Sequence, residues 1–320
     1  MKKTIIVSIL RINRLTVFLA VLGLAAILIP QAMGQQNIGQ QNIGQQNINQ
    51  QNISQPNQNI SRSNQNISPP NTANGLKVAS QVNNIAQIVN EHPLMPVIRW
   101  AEKERPRVVA IQDYTALMTK QENIGGVVQE AQVMEIKVRH NPLSFYLKFR
   151  YPRKMNGQEA IYVKNKNDGK VIGHGVGLER SFGTQFLDPE GIIAMRGCKY
   201  SIKEMGVLNL IDKLLDVGRK DSKFGECDVQ YFEGVKVDDR DCTLIQVTHP
   251  VPRKNFIFYI ARIFVDKELN LPIRYESFNW PAKEGETPTL IEAYTYQKMK
   301  INVGLSDADF DYRNPEYNYP

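Results

Sequence analysis

One stretch, Phe256 to Trp280 (FIFYIARIFVDKELNLPIRYESFNW), restricts what this chain can fold into more than any other. It reads as two β-strands joined by a turn at Asp266 to Asn270. In the first strand Phe256, Phe258, Ile260 and Phe264 fall on one face, and Ile257, Tyr259, Ala261, Ile263 and Val265 on the other. Successive side chains of a strand alternate faces, so this one is apolar on both sides and neither side can meet water. One face belongs to a core. The other meets a second layer of protein or a ligand.

Around this pair the period of two recurs. Asp113 to Gln121 and Val127 to Arg139 read as strands about the Gly125-Gly126 turn. Leu143, Phe145, Leu147, Phe149 and Tyr151 share one face of a third strand. Turns at Asn156-Gly157 and Asn167-Asp168-Gly169 lead into Glu159 to Val163 and Lys170 to His174. Further strands are expected at Glu226 to Val235, Cys242 to His249 and Leu290 to Asn302. One helix interrupts the series. Ser201 and Glu204 have capping-box spacing, Val207, Leu210, Ile211 and Leu214 form an apolar face, and Gly218 suits its end. Helical spacing also precedes the strands, at Val78, Val82, Ile85 and Val89, and again at Val97, Trp100 and Ala101 up to Pro106. The expected class is α+β, mainly antiparallel β, with about ten strands. A sheet that long curls towards a barrel or half-barrel.

The chain before this domain reads differently. A basic start (Lys2, Lys3, Arg11, Arg14), an apolar run from Leu15 to Ile29 and small residues at Ala32-Met33-Gly34 predict an export signal over residues 1–34, cleaved after Gly34. Residues 35–75 hold the units QQNIG, QQNIG, QQNIN, QQNIS, QPNQNIS and RSNQNIS. One isoleucine per unit offers too little burial to offset backbone ordering, so this segment is expected to be a disordered linker to a domain over residues 76–320. The signal holds four of the 39 Lys and Arg and the repeat holds Arg62, which leaves 34 basic against 32 acidic residues from Gly75 onward. With that balance, and without a basic cluster interleaved with aromatics, nucleic-acid binding has no support.

Catalytic and metal chemistry are equally unsupported. His92, His140, His174 and His249 lie far apart in no metal-ligand spacing. Gly173-His174-Gly175-Val176-Gly177 lacks the Lys-Ser/Thr of a P-loop, and no Gly-x-Ser-x-Gly is present. No catalytic residue, metal or cofactor is therefore assigned. Cys198, Cys227 and Cys242 are the only cysteines. Cys227 and Cys242 flank an expected hairpin near Asp238-Asp239; a bridge between them in an oxidising compartment and three reduced thiols both fit.

The segment Ala261 to Trp280, in which a strand enters an Asp-containing turn and leaves through Leu-Pro, resembles the outer-membrane lipoprotein carriers of the Lol system. Cys227, Cys242-Thr-Leu-Ile and Asn302-Val-Gly-Leu-Ser-Asp-Ala-Asp-Phe more closely resemble an uncharacterised family of exported bacterial proteins placed near those carriers by fold. The resemblance covers about Leu94 to Pro320. It implies a half-open curved β-barrel with N-terminal helices and the inserted helix as a lid, around a site for a lipid, a lipoprotein acyl chain or another hydrophobic ligand. Phe145, Leu147, Phe149, Phe256, Phe258, Phe264, Leu210 and Leu214 are the residues expected to line it. The alternative is a non-catalytic envelope domain with a filled core, held to a partner by the repeat.

Overall fold

A computed structural model describes residues 91–320. The expected export signal, the repeat and the helix at Val78 to Val89 lie outside these residues. Among these residues there are twelve strands: β1 (Asp113–Ile124), β2 (Val127–Val128), β3 (Gln132–Arg139), β4 (Ser144–Tyr151), β5 (Glu159–Val163), β6 (Val171–His174), β7 (Gln185–Leu187), β8 (Asp228–Val237), β9 (Arg240–Thr248), β10 (Ile260–Asp266), β11 (Pro272–Phe278) and β12 (Leu290–Ile301). Two α-helices accompany them, α1 (Met95–Ala110) and α2 (Val207–Asp221).

The strands form one antiparallel sheet in the order β7-β6-β5-β4-β3-β1-β12-β11-β10-β9-β8, with β2 paired to β1. Successive strands pair except β2 with β3 and β7 with β8, and β12 joins the two runs by pairing with β1 as well as with β11. The ends β7 and β8 do not pair with each other, so the sheet is curved but open. Register shifts interrupt the ladders at Thr115/Leu117, Val133/Met134, Phe232/Val235 and Phe264/Val265. Such bulges bend a strand and increase its twist.

Cross-strand partners fix which residues share a face. Ile263 opposes Tyr275, Tyr275 opposes Tyr294, Tyr296 opposes Met118, Met118 opposes Met134, and Met134 opposes Phe149. Both helices lie on this face. The N-terminus of α2 is tied down by Tyr114, whose hydroxyl accepts the Val207 N–H at 3.2 Å. The approach is so close that a Cβ on Gly206, which has φ 98°, would stand 2.8 Å from that hydroxyl.

The outer face is covered at one end by the chain's own C-terminus. The Asp113 carboxylate accepts the backbone N–H groups of Val303, Gly304 and Leu305 at 2.6, 3.1 and 3.0 Å and turns the chain out of β12. Ser306 and Asp309 then form a capping box, which gives Asp309 a structural role. Phe310 packs on Tyr146, Ile161 and Val163, and Tyr317 stacks on Tyr146 with ring centres 4.1 Å apart.

Three expectations about helices are corrected. The helix carrying Val97, Trp100 and Ala101 does not stop at Pro106 but runs to Ala110. The proline removes one backbone donor, and the turn beyond it is held by fully buried Val108. Ser201 caps only a short 3-10 turn at Ile202–Glu204, and α2 begins after Gly206. Nor does Gly218 end α2. A Cβ there would meet Ile98 Cγ1 at 3.3 Å, so this glycine lets the two helices approach.

The cysteine bridge is also corrected. Cys198, Cys227 and Cys242 are all free. In the β8–β9 ladder Cys242 opposes Val235, whereas Asp228, the neighbour of Cys227, opposes Thr248. Six residues of strand separate Thr248 from Cys242, about 20 Å at roughly 3.4 Å per residue, far beyond the reach of a disulfide.

Candidate ligand cavity

Between α1, α2 and the sheet lies an apolar cavity of about 60 Å3, open to solvent at its mouth. Helix α1 contributes Val97, Ile98, Trp100 and Ala101, and α2 contributes Leu210, Leu214 and Val217. The sheet supplies Val247, Ala261, Ile263 and Tyr275. The helical apolar face at Leu210, Leu214 and Val217 points inward yet stays only half-buried. A packed core would have closed over it.

The connection from β9 to β10 forms part of the wall. Phe258 points in, and Ile257, an apolar residue 59% exposed, lies beside it. This connection is anchored by His249, which is fully buried and stacks on Phe256 at 3.8 Å. The His249 ring bridges the Asp221 carboxylate at 3.1 Å and the Glu226 carbonyl at 3.2 Å, while its own backbone oxygen accepts the Trp280 indole N–H at 3.0 Å. Cys227 belongs to the same corner. Burial, then the charges of Asp221 and Asp228, push its thiol up to about 12, so the Cys-His-Asp grouping there holds no thiolate nucleophile.

The cavity has one polar margin, built from Glu122 of β1, Glu292 and Tyr294 of β12, and Lys199 and Tyr200 ahead of α2. Glu292 accepts from the Lys199 ammonium at 2.7 Å and the Tyr200 hydroxyl at 2.8 Å. Glu122 accepts from the Tyr294 hydroxyl at 2.6 Å and the Lys199 backbone N–H at 2.9 Å, with the Lys120 ammonium 3.3 Å away. Burial, reinforced by Glu292 and Glu122, holds both phenols protonated well above their ordinary range, so they donate to the carboxylates. Lys213 of α2 lines the cavity beside them, its ammonium 3.3 Å from the centre of the Tyr200 ring.

The eight residues expected to line a ligand site separate into three groups. Leu210, Leu214 and Phe258 line the cavity. Phe145, Leu147 and Phe149 share the helix-bearing face but lie in close-packed core further along the sheet, with Phe145 fully buried beneath Gly206. Phe256 and Phe264 are elsewhere. Phe256 precedes β10, in the connection, and covers His249. Phe264 opposes Leu244 and Arg274 on the outer face, with the Arg274 guanidinium 5.4 Å from its ring centre. Strand β10 begins at Ile260, so the alternation projected from Phe256 does not carry through. Sequence reasoning missed α1's Ile98 and Trp100 and the whole polar margin. The only trace was Glu292, Tyr294 and Tyr296 alternating along one strand face.

A family model described as "Protein of unknown function (DUF1571)" matches residues 111–319. A comparison with the curated proteins found no match. Among solved structures, the lipoprotein LppX of Mycobacterium tuberculosis is similar at 12% identity and a TM-score of 0.38, with 68% of this chain and 100% of that one covered. A putative outer membrane lipoprotein-sorting protein domain from Vibrio parahaemolyticus is similar at 12% identity and a TM-score of 0.31, covering 66% and 97%. A LolA superfamily protein from Nitrosomonas europaea gives 11% identity and a TM-score of 0.31, covering 66% and 97%.

Proposed function

This chain belongs to the DUF1571 family of proteins of unknown function, and we propose that it is an exported carrier or receptor that holds a hydrophobic ligand, such as a lipid or acyl chain, between its helices and its curved sheet. The observation that carries this reading is the apolar cavity lined by half-buried Leu210, Leu214 and Val217. Inward-facing leucine and valine side chains left without full cover lose several tens of square ångströms of burial, and an apolar ligand restores it at roughly 25 cal/mol per Å2. In this reading the role is binding rather than catalysis. Residues 1–34 direct export with cleavage after Gly34, and residues 35–75 act as a tether.

Mass spectrometry of organic extracts from the purified protein tests the proposal, together with uptake of a fluorescent fatty acid. Co-purifying lipid and saturable uptake are expected. Their joint absence would leave a domain that only contacts other proteins. One observation favours that second reading. Leu178 and Ile192, each 93% exposed, precede and follow the open edge strand β7 in the chain, and Phe182 and Phe186 are half-exposed. Exposed apolar side chains at a sheet edge mark contact surfaces, and cross-linking of whole cell envelopes would show whether a protein partner is held there.

A further inference from the structure

The ligand's polar end can be read from the charges around the cavity, given the carrier reading just proposed. Three charged residues line it: Asp221, Glu292 and Lys213. Asp221 is committed to His249, and Glu292 to Lys199 and Tyr200. Glu122, next in the same margin, is served by Tyr294, the Lys199 backbone and Lys120. Each carboxylate therefore has a cation or donors of its own. Among the described residues no carboxylate lies within ion-pairing distance of the Lys213 ammonium, which rests instead on the Tyr200 π-face at 3.3 Å. Partial desolvation of that rim ammonium lowers its pKa against the pull of Glu292 and Glu204, as expected of a cation lacking a close counter-charge.

The position matters as much as the charge. Lys213 lies one residue before Leu214 and one turn from Leu210 on α2, so its stem runs beside the apolar lining while its side chain remains exposed at the rim. A long-chain ligand with its tail along Leu210, Leu214 and Val217 brings its head group to this ammonium. A neutral head gains little there, whereas an anion supplies the missing partner. The Tyr200 ring beneath holds the ammonium in place, and Tyr200 is itself fixed by its bond to Glu292.

We infer that Lys213 is the head-group site of the cavity and that the ligand class is a long-chain amphiphile with an anionic head, a carboxylate or a phosphate ester. Trp100 lines the same cavity, so a brominated long-chain fatty acid that enters it quenches tryptophan fluorescence. The acid should bind roughly fivefold more tightly than its methyl ester, the ratio expected of one rim-exposed ion pair. Lys213→Met should abolish that preference while leaving the ester's affinity unchanged, and Lys213→Arg should keep most of it. Because Lys213 is exposed, neither variant should alter the melting temperature. Displacement of the acid by a long-chain alkyl phosphate would extend the site to phosphate heads, and failure to displace would restrict it to carboxylates. Equal binding of acid and ester, or a preference that survives Lys213→Met, overturns the head-group assignment while the carrier reading stands. Binding of neither probe overturns both.

Discussion

The two faces of the sheet are covered in different ways. On the outer face, the segment after β12 lies directly against the strands. Tyr317 stacks on Tyr146, Phe310 packs beside Ile161, and Glu159, with no exposure at all, is matched by Lys148 at 3.2 Å and the Asn318 N–H at 3.3 Å. On the opposite face the cover is two helices, and between them and the strands space remains. The contrast separates two uses of apolar surface. A strap of aromatic side chains finishes a core. Helices held to each other by the Gly218–Ile98 approach roof a cavity without filling it.

The most severe test of this contrast is truncation of one phenylalanine from each setting. Phe145, fully buried beneath Gly206, should cost about 3–5 kcal/mol on conversion to alanine, since a new void opens in packed surroundings. Phe258→Ala borders space that is already empty, so its cost should approach the transfer term alone, about 1.5–3 kcal/mol. Urea unfolding of both variants measures the difference. Equal losses would mean that the roofed side is packed as tightly as the rest.

A smaller effect separates the faces by pH. Burial alone would raise the Asp309 carboxyl, but the bonds from Lys137 and Ser306 outweigh it and hold the group below its ordinary value. Asp307, between Lys166 and Arg139, is lowered as well. A folded-state pKa below the unfolded one contributes stability that is present above the unfolded value, near pH 4, and is lost as pH falls through the folded value. Amide exchange at Phe310 and Tyr317 should therefore accelerate below about pH 4, and Lys137→Met should blunt the step. Protection of the strap that ignores pH would remove the ion pairs from its anchoring.

The least perturbing measurement concerns the thiols. Counting in denaturant without reductant should return three free thiols. In the native protein Cys227 and Cys242, pushed up by burial to about 12 and about 11, should react slowly with an electrophile. A count of one would contradict the β8–β9 register.

These regions were not equally legible in the sequence. Strand β5 was bounded correctly, and β12 to within one residue, because period-two alternation and turn residues are local signals. The fates of Phe264, Gly218 and Cys227 were not local. Whether Phe264 faces the cavity depends on where β10 begins, and pairing starts only after a connection that carries Phe256 and Phe258 away from the strand. Gly218 looks like a helix stop until a second helix is set against it. The polar margin joins Glu122 to Tyr294 across 172 positions, and no spacing rule connects such residues before the sheet order is known. Six of the eight lining residues were projected from strand alternation and two from a helix face, patterns that name a face but not the part of it that stays open.

One consequence of the sheet order concerns when the molecule can become whole. Strand β12 lies between β1 and β11 and joins a first half, β1 with β3 to β7, to a second half, β8 to β11. Met118 meets its partner Tyr296 only after nearly the whole domain has been made. Until then each half carries an unfinished edge, and contacts this distant in the chain are slow to form. A growing chain thus remains two incomplete hairpin arrays until β12 emerges. The same strand carries Glu292 and Tyr294, so the two halves of the sheet join and the cavity gains its polar margin in a single event.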